Sequence, residues 1–358
     1  MRMQADEQER KAMSGSSGVT VLNPFVPMFN SNSIHAFTNL VPQHISIMKN
    51  DGYGDKRVCL EAAYGKNMVV KYFLTPNLVS FNGRPTQLLW YLSIVFTKNV
   101  KRFASLEELE KNRVIELDIK QLANLFDVKI QKMRNIVTRS IMTLREMEWQ
   151  FTEAIPGYED DPVDWVFSVI DGRGVSKKGR ILVKLSMDFA RYLSVIYITY
   201  IPLSVLKIKP KNNPYSLRFA DKLLNNFNLN YNSKRRNYVT VVELLSLVPE
   251  IPKYADIAGK GQINQRIIGP FMRDIDVLVT LAVISVWYFV DDYNNPFDMD
   301  LNKISYNNFI RLKVFYDIFD WPAAEKQKNE EKEDEKKELC HDILEPCHDI
   351  FRAKGTLP

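Results

Sequence analysis

Between Leu117 and Leu185 the spacing of apolar residues changes from helical to alternating, and the change divides this stretch into a helix pair and a hairpin. Over Asp118–Phe126, the apolar Leu122, Leu125 and Phe126 fall on one side, and Asp118 can accept the unpaired amide protons of a first helical turn. Asp127-Val128-Lys129 makes a short polar break. From Ile130 to Met147, the residues Ile130, Met133, Val137, Ile141 and Leu144 recur at spacings of three and four, which predicts a second helix that buries all five. Lys132, Asn135 and Arg139 fall on its opposite face. Trp165–Ile170 and Arg180–Leu185 are β-branched-rich and read as the strands of a hairpin. Its turn, Asp171–Gly179, holds Gly172, Gly174 and Gly179 with the cations Arg173, Lys177 and Lys178, and Arg180 follows at once. A helix-turn-helix followed by a basic hairpin is a winged helix, whose second helix and wing reach the base edges and phosphates of DNA. Basic hairpin tips are common on any surface; the conjunction with the helix pair is what points to DNA.

The same order of elements recurs further on. Pro214–Leu224 reads as an opening helix, Asn237–Thr240 as a short strand and Val241–Leu247 as a short helix with Glu243 near its start. In the following segment Ile263, Ile267, Phe271, Ile275 and Leu278 share a face opposed by Gln262, Gln265, Arg266 and Arg273. Gly269-Pro270 inside it predicts a kink or a shortened helix, because Pro lacks an amide donor and crowds the preceding turn. Ala282–Val290 with a turn through Asp291–Pro296 reads as a second wing, acidic at its tip and suited to protein contacts more than to phosphate.

Ahead of the first unit, Val58, Leu60 and Ala62 alternate on one side of Gly65-Lys66-Asn67, and Met68, Val70, Tyr72 and Leu74 on the other, predicting a hairpin over Asp55–Thr75. Pro85–Val95 is a helix that turns Leu88, Tyr91, Leu92 and Val95 inward; Lys98–Lys111 is a charged loop or short helix, and Val114–Leu117 a strand. Met187–Tyr200 begins a helix with Phe189, Leu193 and Ile196 inward, broken by Pro202. The polar, Ser/Gly-rich start of the chain is expected to be disordered. The expected class is α+β, mostly helical with small hairpin wings. Its divisions are a disordered arm (1–40), a hairpin extension (41–82), two winged-helix domains (83–200 and 201–322) and a charged, disordered tail (323–358).

With 358 residues, 46% of them hydrophobic, the chain can fill more than one core. The net charge is +5. Ala324–Leu339 holds five Lys against seven acids and the remainder two cations against three, so residues 1–323 carry +8, a surplus that suits a polyanion. Three cysteines make no disulfide framework, and the longest apolar run, Val277–Val290, is short for a membrane span and includes Thr280 and Ser285. A cytoplasmic setting with no membrane partner is expected.

The order of strand, helix pair and Lys/Gly hairpin, then Leu206-Lys207-Ile208, Pro214-Tyr215-Ser216-Leu217-Arg218, Asn264–Phe271 and the ending Phe315–Pro322, resembles plasmid replication initiators built from two winged helices, the theta-type, iteron-binding family. The resemblance covers about residues 83–322 and rests on element order and these phrases. It implies binding to direct repeats in double-stranded origin DNA, opening of an AT-rich segment, recruitment of a host initiator or helicase machinery, and a homodimer that represses its own promoter. The family's base-reading positions carry over, by place in the helix, to Lys132, Asn135 and Arg139, and to Gln262, Gln265, Arg266 and Arg273. Lys129, beside the first helix, and Arg173, Lys177, Lys178 and Arg180 in the wing complete the expected DNA-binding set.

Catalytic signatures are missing from the sequence. The histidines are His35, His44, His341 and His348, with no His-x-His pair of the kind that binds metal in strand-nicking initiators. Ala258-Gly259-Lys260-Gly261-Gln262 lacks the spacing and hydroxyl of a phosphate loop, and Asp298-Met299-Asp300 reads as solvated acids in a turn. The expectation is a non-enzyme without cofactor or metal. A winged-helix transcription repressor of a mobile element is the alternative, and a primase a more distant one. In the tail, Cys340-His341-Asp342-Ile343 repeats as Cys347-His348-Asp349-Ile350. It reads as a flexible tail, as four ligands for zinc, or as a repeat meaningful in the DNA, where seven codons span about two helical turns.

Overall fold

The structure, a computed structural model, describes residues 25–29, 58–63, 69–74, 83–145, 148–153, 163–175, 180–195, 198–230, 233–248, 250–254, 262–297 and 304–319. It begins with β1 (Phe25–Phe29) and continues with β2 (Val58–Ala63) and β3 (Val69–Leu74). The last two pair antiparallel with Val58 opposite Leu74, Leu60 opposite Tyr72 and Ala62 opposite Val70, the hairpin that their alternation predicts.

The first unit contains α1 (Arg84–Asn99), α2 (Leu106–Asn112), β4 (Val114–Leu117), α3 (Ile119–Leu125) and α4 (Ile130–Arg145). Pro85 sits in the first turn of α1, where its missing N–H costs nothing. Ser105 caps α2 by accepting the N–H of Glu108. Next come β5 (Glu148–Glu153), β6 (Val163–Ser168), β7 (Ile170–Val175), β8 (Ile181–Leu185), α5 (Met187–Val195) and β9 (Ile198–Pro202). The wing sheet has the order β4-β8-β7. Arg113, nearly buried, ties its base together: the guanidinium donates to Glu110, to Asp171 at 2.8 Å and to the Leu185 carbonyl at 2.9 Å.

The second unit follows a 3-10 turn at Leu203–Lys207 and contains α6 (Ser216–Leu229), β10 (Tyr238–Thr240) and α7 (Val241–Ser246). Thr240 and Glu243 close a capping box on α7, each side chain accepting from the other's backbone N–H. A π-helical turn at Asn264–Ile268 runs into α8 (Gly269–Thr280), and β11 (Ile284–Val290), α9 (Tyr306–Phe309) and β12 (Lys313–Ile318) finish the unit. Its sheet order, β10-β12-β11, repeats the first: in both, the strand before the helix pair is flanked by the last strand of the hairpin. The class is therefore α+β with tandem winged helices. Among the described residues no helix is long and apolar enough to cross a membrane.

Several expectations about the elements need correction. Phe25–Phe29, placed in a disordered arm, is a strand antiparallel to β9, with Phe25 opposite Pro202 and Phe29 opposite Ile198. Met28 is fully buried there, so apolar burial stabilises the strand despite the polar residues that precede it in sequence. The division drawn between residues 200 and 201 falls inside β9. In the first wing, β6 pairs with β5 and not with β8, while Gly172 and Gly174, assigned to the turn, lie within β7 opposite Lys184 and Leu182. The partner of β11 is β12, reached after α9, and the Asp291–Pro296 turn is only the start of that connection.

The segment between the units is held by the first one. Gln87 of α1 is fully buried and donates to the carbonyls of Leu206 at 3.0 Å and Ile208 at 2.8 Å. Gly83 adopts φ 77, and a Cβ there would meet Pro210 at 2.9 Å, so both the backbone and the close approach require glycine.

Candidate nucleic-acid interface

The first helix-turn-helix is built from local chemistry. Asp118 accepts the N–H groups of Lys120 and Gln121 at 2.8 and 3.1 Å, starting α3 as expected. The chain turns through Asp127, whose φ of 48 lets Val128 N–H reach back to the Ala123 carbonyl at 2.9 Å. The Asp127 carboxylate pairs with Lys209, and this hydrogen bond above all holds its pKa below the ordinary aspartate value. The turn is thereby tied to the segment between the units. The Lys129 carbonyl accepts from Lys132 and Met133 and opens α4.

On α4 the side chains of Met133, Val137, Ser140, Ile141 and Leu144 are buried. Lys132, Asn135 and Arg139 are exposed on the outward side of the helix, where the periodicity puts them, and Lys129, in the turn just before it, is exposed too. Ile130 departs from expectation: it is 52% exposed. It is the first residue of the helix, one turn before the buried Met133. Ile130, Gln131 and Arg134 form one wall of a cleft of about 650 Å³, whose other walls are Glu116–Lys120 and Arg180. Gln131, Arg134 and Lys120 were not singled out in the sequence; their proximity to Arg180 arises from the β4–β8 pairing, which local spacing does not reveal.

Arg180 stands just before β8, exposed, with its guanidinium 3.1 Å from Glu116. Arg173 lies exposed on β7, opposite Val183. Lys177 and Lys178 lie outside the described residues, as does the Cys-His repeat of the tail.

In the second unit Gln262, Gln265 and Arg266 are exposed at the start of the corresponding helix. Of the kink or shortened helix expected at Gly269-Pro270, the structure shows a local irregularity: a π turn over Asn264–Ile268 precedes the pair, and the regular helix α8 runs from Gly269 to Thr280. Gly269 N–H donates to the Asn264 carbonyl five residues back, and a Cβ at Gly269 would stand 2.8 Å from that oxygen. Arg273 is exposed and its Nε lies 3.5 Å from Asp274, which is itself fully buried. Asp274, unremarked in the sequence, accepts the N–H groups of Tyr215 and Ser216 at 2.7 and 3.0 Å and so caps α6. Burial raises its pKa, partly offset by these hydrogen bonds.

The second wing differs in charge. Asp291 accepts the N–H groups of Tyr293 and Asn295, both at 2.9 Å, and Lys313 donates to the Asp292 carbonyl and to Asn294. The Asp291 carboxylate is thus satisfied within its own turn, and these backbone bonds hold its pKa low.

No protein-family model and no curated protein matches the chain. Among solved structures it is similar to the Pi initiator protein in complex with iteron DNA, with 14% identity and a TM-score of 0.45 over 68% of this chain and 94% of that one. It is also similar to domains 2 and 3 of RctB, with 8% identity and a TM-score of 0.40 over 81% of this chain and 99% of that one.

Proposed function

We propose that the chain is a sequence-specific DNA-binding protein that initiates replication of a plasmid. In this reading it binds direct repeats at an origin, promotes local opening of the duplex and recruits the host initiator or helicase machinery. It acts without a catalytic step or cofactor of its own. The observation that carries the reading is the duplicated unit: two helices, α4 and the one running from the π turn into α8, each expose Lys, Arg, Asn or Gln opposite a buried apolar stripe. Such side chains recognise phosphates and base edges in a major groove. The two heads are unlike, the first flanked by Arg173 and Arg180 and the second by a self-satisfied acidic wing. Unlike heads on one chain read a site with direction, which suits tandem direct repeats, whereas a palindrome is matched by identical heads on a symmetric dimer. A homodimer that represses its own promoter is compatible with the same surfaces.

A plasmid deprived of its initiator but retaining the DNA that flanks this gene tests the reading. Maintenance when the gene is supplied in trans supports initiation. Loss of the plasmid together with repression of a reporter driven by the same DNA supports the alternative, a transcription repressor of a mobile element. Absence of any binding to that DNA overturns both.

A further inference from the structure

Ile130 is an exposed apolar side chain in a cleft of mixed character, which Leu117 and Ile119 line as well. It stays 52% exposed at the first turn of α4, between Lys129 and Gln131, and shares a cleft wall with Gln131 and Arg134, across from Lys120 and Arg180. Single exposed apolar residues are ordinary on a protein surface. This one sits where a recognition helix meets base edges, since the N-terminal residues of such helices enter the groove. The major groove offers an apolar group of its own, the 5-methyl of thymine. Lys120, Arg134 and Arg180 outnumber Glu116 and Asp118 on the same cleft, with Arg180 paired to Glu116, and the surplus of cations suits the phosphates and guanine edges that border a methyl group. Met142, exposed to 51% on the same helix, lies about 18 Å farther along the axis at 1.5 Å per residue, well away from the cleft.

We propose that Ile130 is a specificity-determining residue that selects thymine at one position of the DNA site by covering its methyl group. The inference rests on the DNA-binding reading above and adds a particular base and a particular atom to it.

The test uses the full-length chain and duplexes that it enriches from a random pool, resynthesised with deoxyuridine in place of thymidine one position at a time, which removes the methyl group alone. At one position the wild-type protein is expected to lose about fourfold in affinity, the roughly 0.8 kcal/mol of one buried methyl. Ile130→Ala is expected to bind the two versions of that duplex equally, and Met142→Ala to keep the wild-type ratio. The wild-type series decides the matter without any variant: no methyl-sensitive position overturns the inference. Retention of the fourfold ratio by a folded Ile130→Ala protein overturns it as well. A pool that yields no enriched sequence removes the DNA-binding reading itself, an outcome distinct from enrichment without a methyl effect.

Discussion

The carboxylate of Asp274, in the second recognition-type helix, accepts the backbone N–H of Ser216 at 3.0 Å, while the Ser216 hydroxyl donates to the Asp274 carbonyl at 2.8 Å. These two bonds, both donated by Ser216 and accepted by Asp274, fix α8 against the first turn of α6, where the titratable side chain of Asp274 is entirely buried. Because burial raises the folded-state pKa above the ordinary 3.8, the folded protein binds the proton more tightly than the unfolded chain. This contribution to stability is fully present below the ordinary value and is lost as pH rises through the folded value. Asp274→Asn lacks that titration. In urea unfolding at a series of pH values, wild type is expected to gain stability relative to Asp274→Asn as pH falls from 7 towards 4. A constant difference between the two proteins contradicts the assignment.

Gln87→Ala leaves the carbonyls of Leu206 and Ile208 buried without the amide that serves them. Each orphaned acceptor costs about 1–3 kcal/mol, so denaturant unfolding is expected to show a loss well beyond that of a typical surface change. Lys209→Ala, which removes only the exposed pair with Asp127, is expected to cost under about 1 kcal/mol.

Alanine ordinarily improves on glycine in a helix by about 1 kcal/mol. Gly269→Ala is expected to do the opposite, because the added Cβ lies 2.8 Å from the Asn264 carbonyl oxygen and the π turn must shift. A destabilisation of about 1–3 kcal/mol is expected, with weaker DNA binding as Gln265 and Arg266 move with the turn. A stabilised protein with unchanged binding disproves the role given to the π turn.

The wing and the helix of the first unit separate in their response to salt. Removing a phosphate contact lowers the slope of log affinity against log salt by about 0.9. The double change Arg173→Ala/Arg180→Ala, and likewise Lys177→Ala/Lys178→Ala, is expected to flatten that slope for all sequences alike. Asn135→Ala or Arg139→Ala is expected to relax sequence choice by about 1–3 kcal/mol each. An unchanged slope in the wing variants removes the wing from the interface.

What the sequence reveals here is what depends on near neighbours. The Asp118 cap, the stripe Met133, Val137, Ile141 and Leu144, and the pairing of Leu60 with Tyr72 all follow from spacings within one turn or one hairpin. The errors lie where the partner is distant. Periodicity assigns Ile130 to the buried stripe, yet on α4 burial begins only one turn later, at Met133. β11 seemed to pair across the Asp291 turn, but its register with β12 brings Tyr288 against Phe315, whose rings stack at 4.7 Å. Asp274 draws no notice in the sequence, because only the packing of α6 over it makes it a buried cap. The first unit's expected DNA-binding residues that are described are all exposed, and the cleft formed by Lys120, Gln131 and Arg134 emerged only with the fold.

The pairing of β1 with β9 imposes an order on biosynthesis. Phe25–Phe29 leaves the ribosome long before Ile198–Pro202 exists to receive it. At about 5–20 residues per second the wait is on the order of ten seconds or more. During that interval Met28 lacks its burial site, and a hydrophobic strand with a free edge is open to whatever else in the cell offers one. The first unit therefore completes its fold only when translation has reached the segment leading to the second.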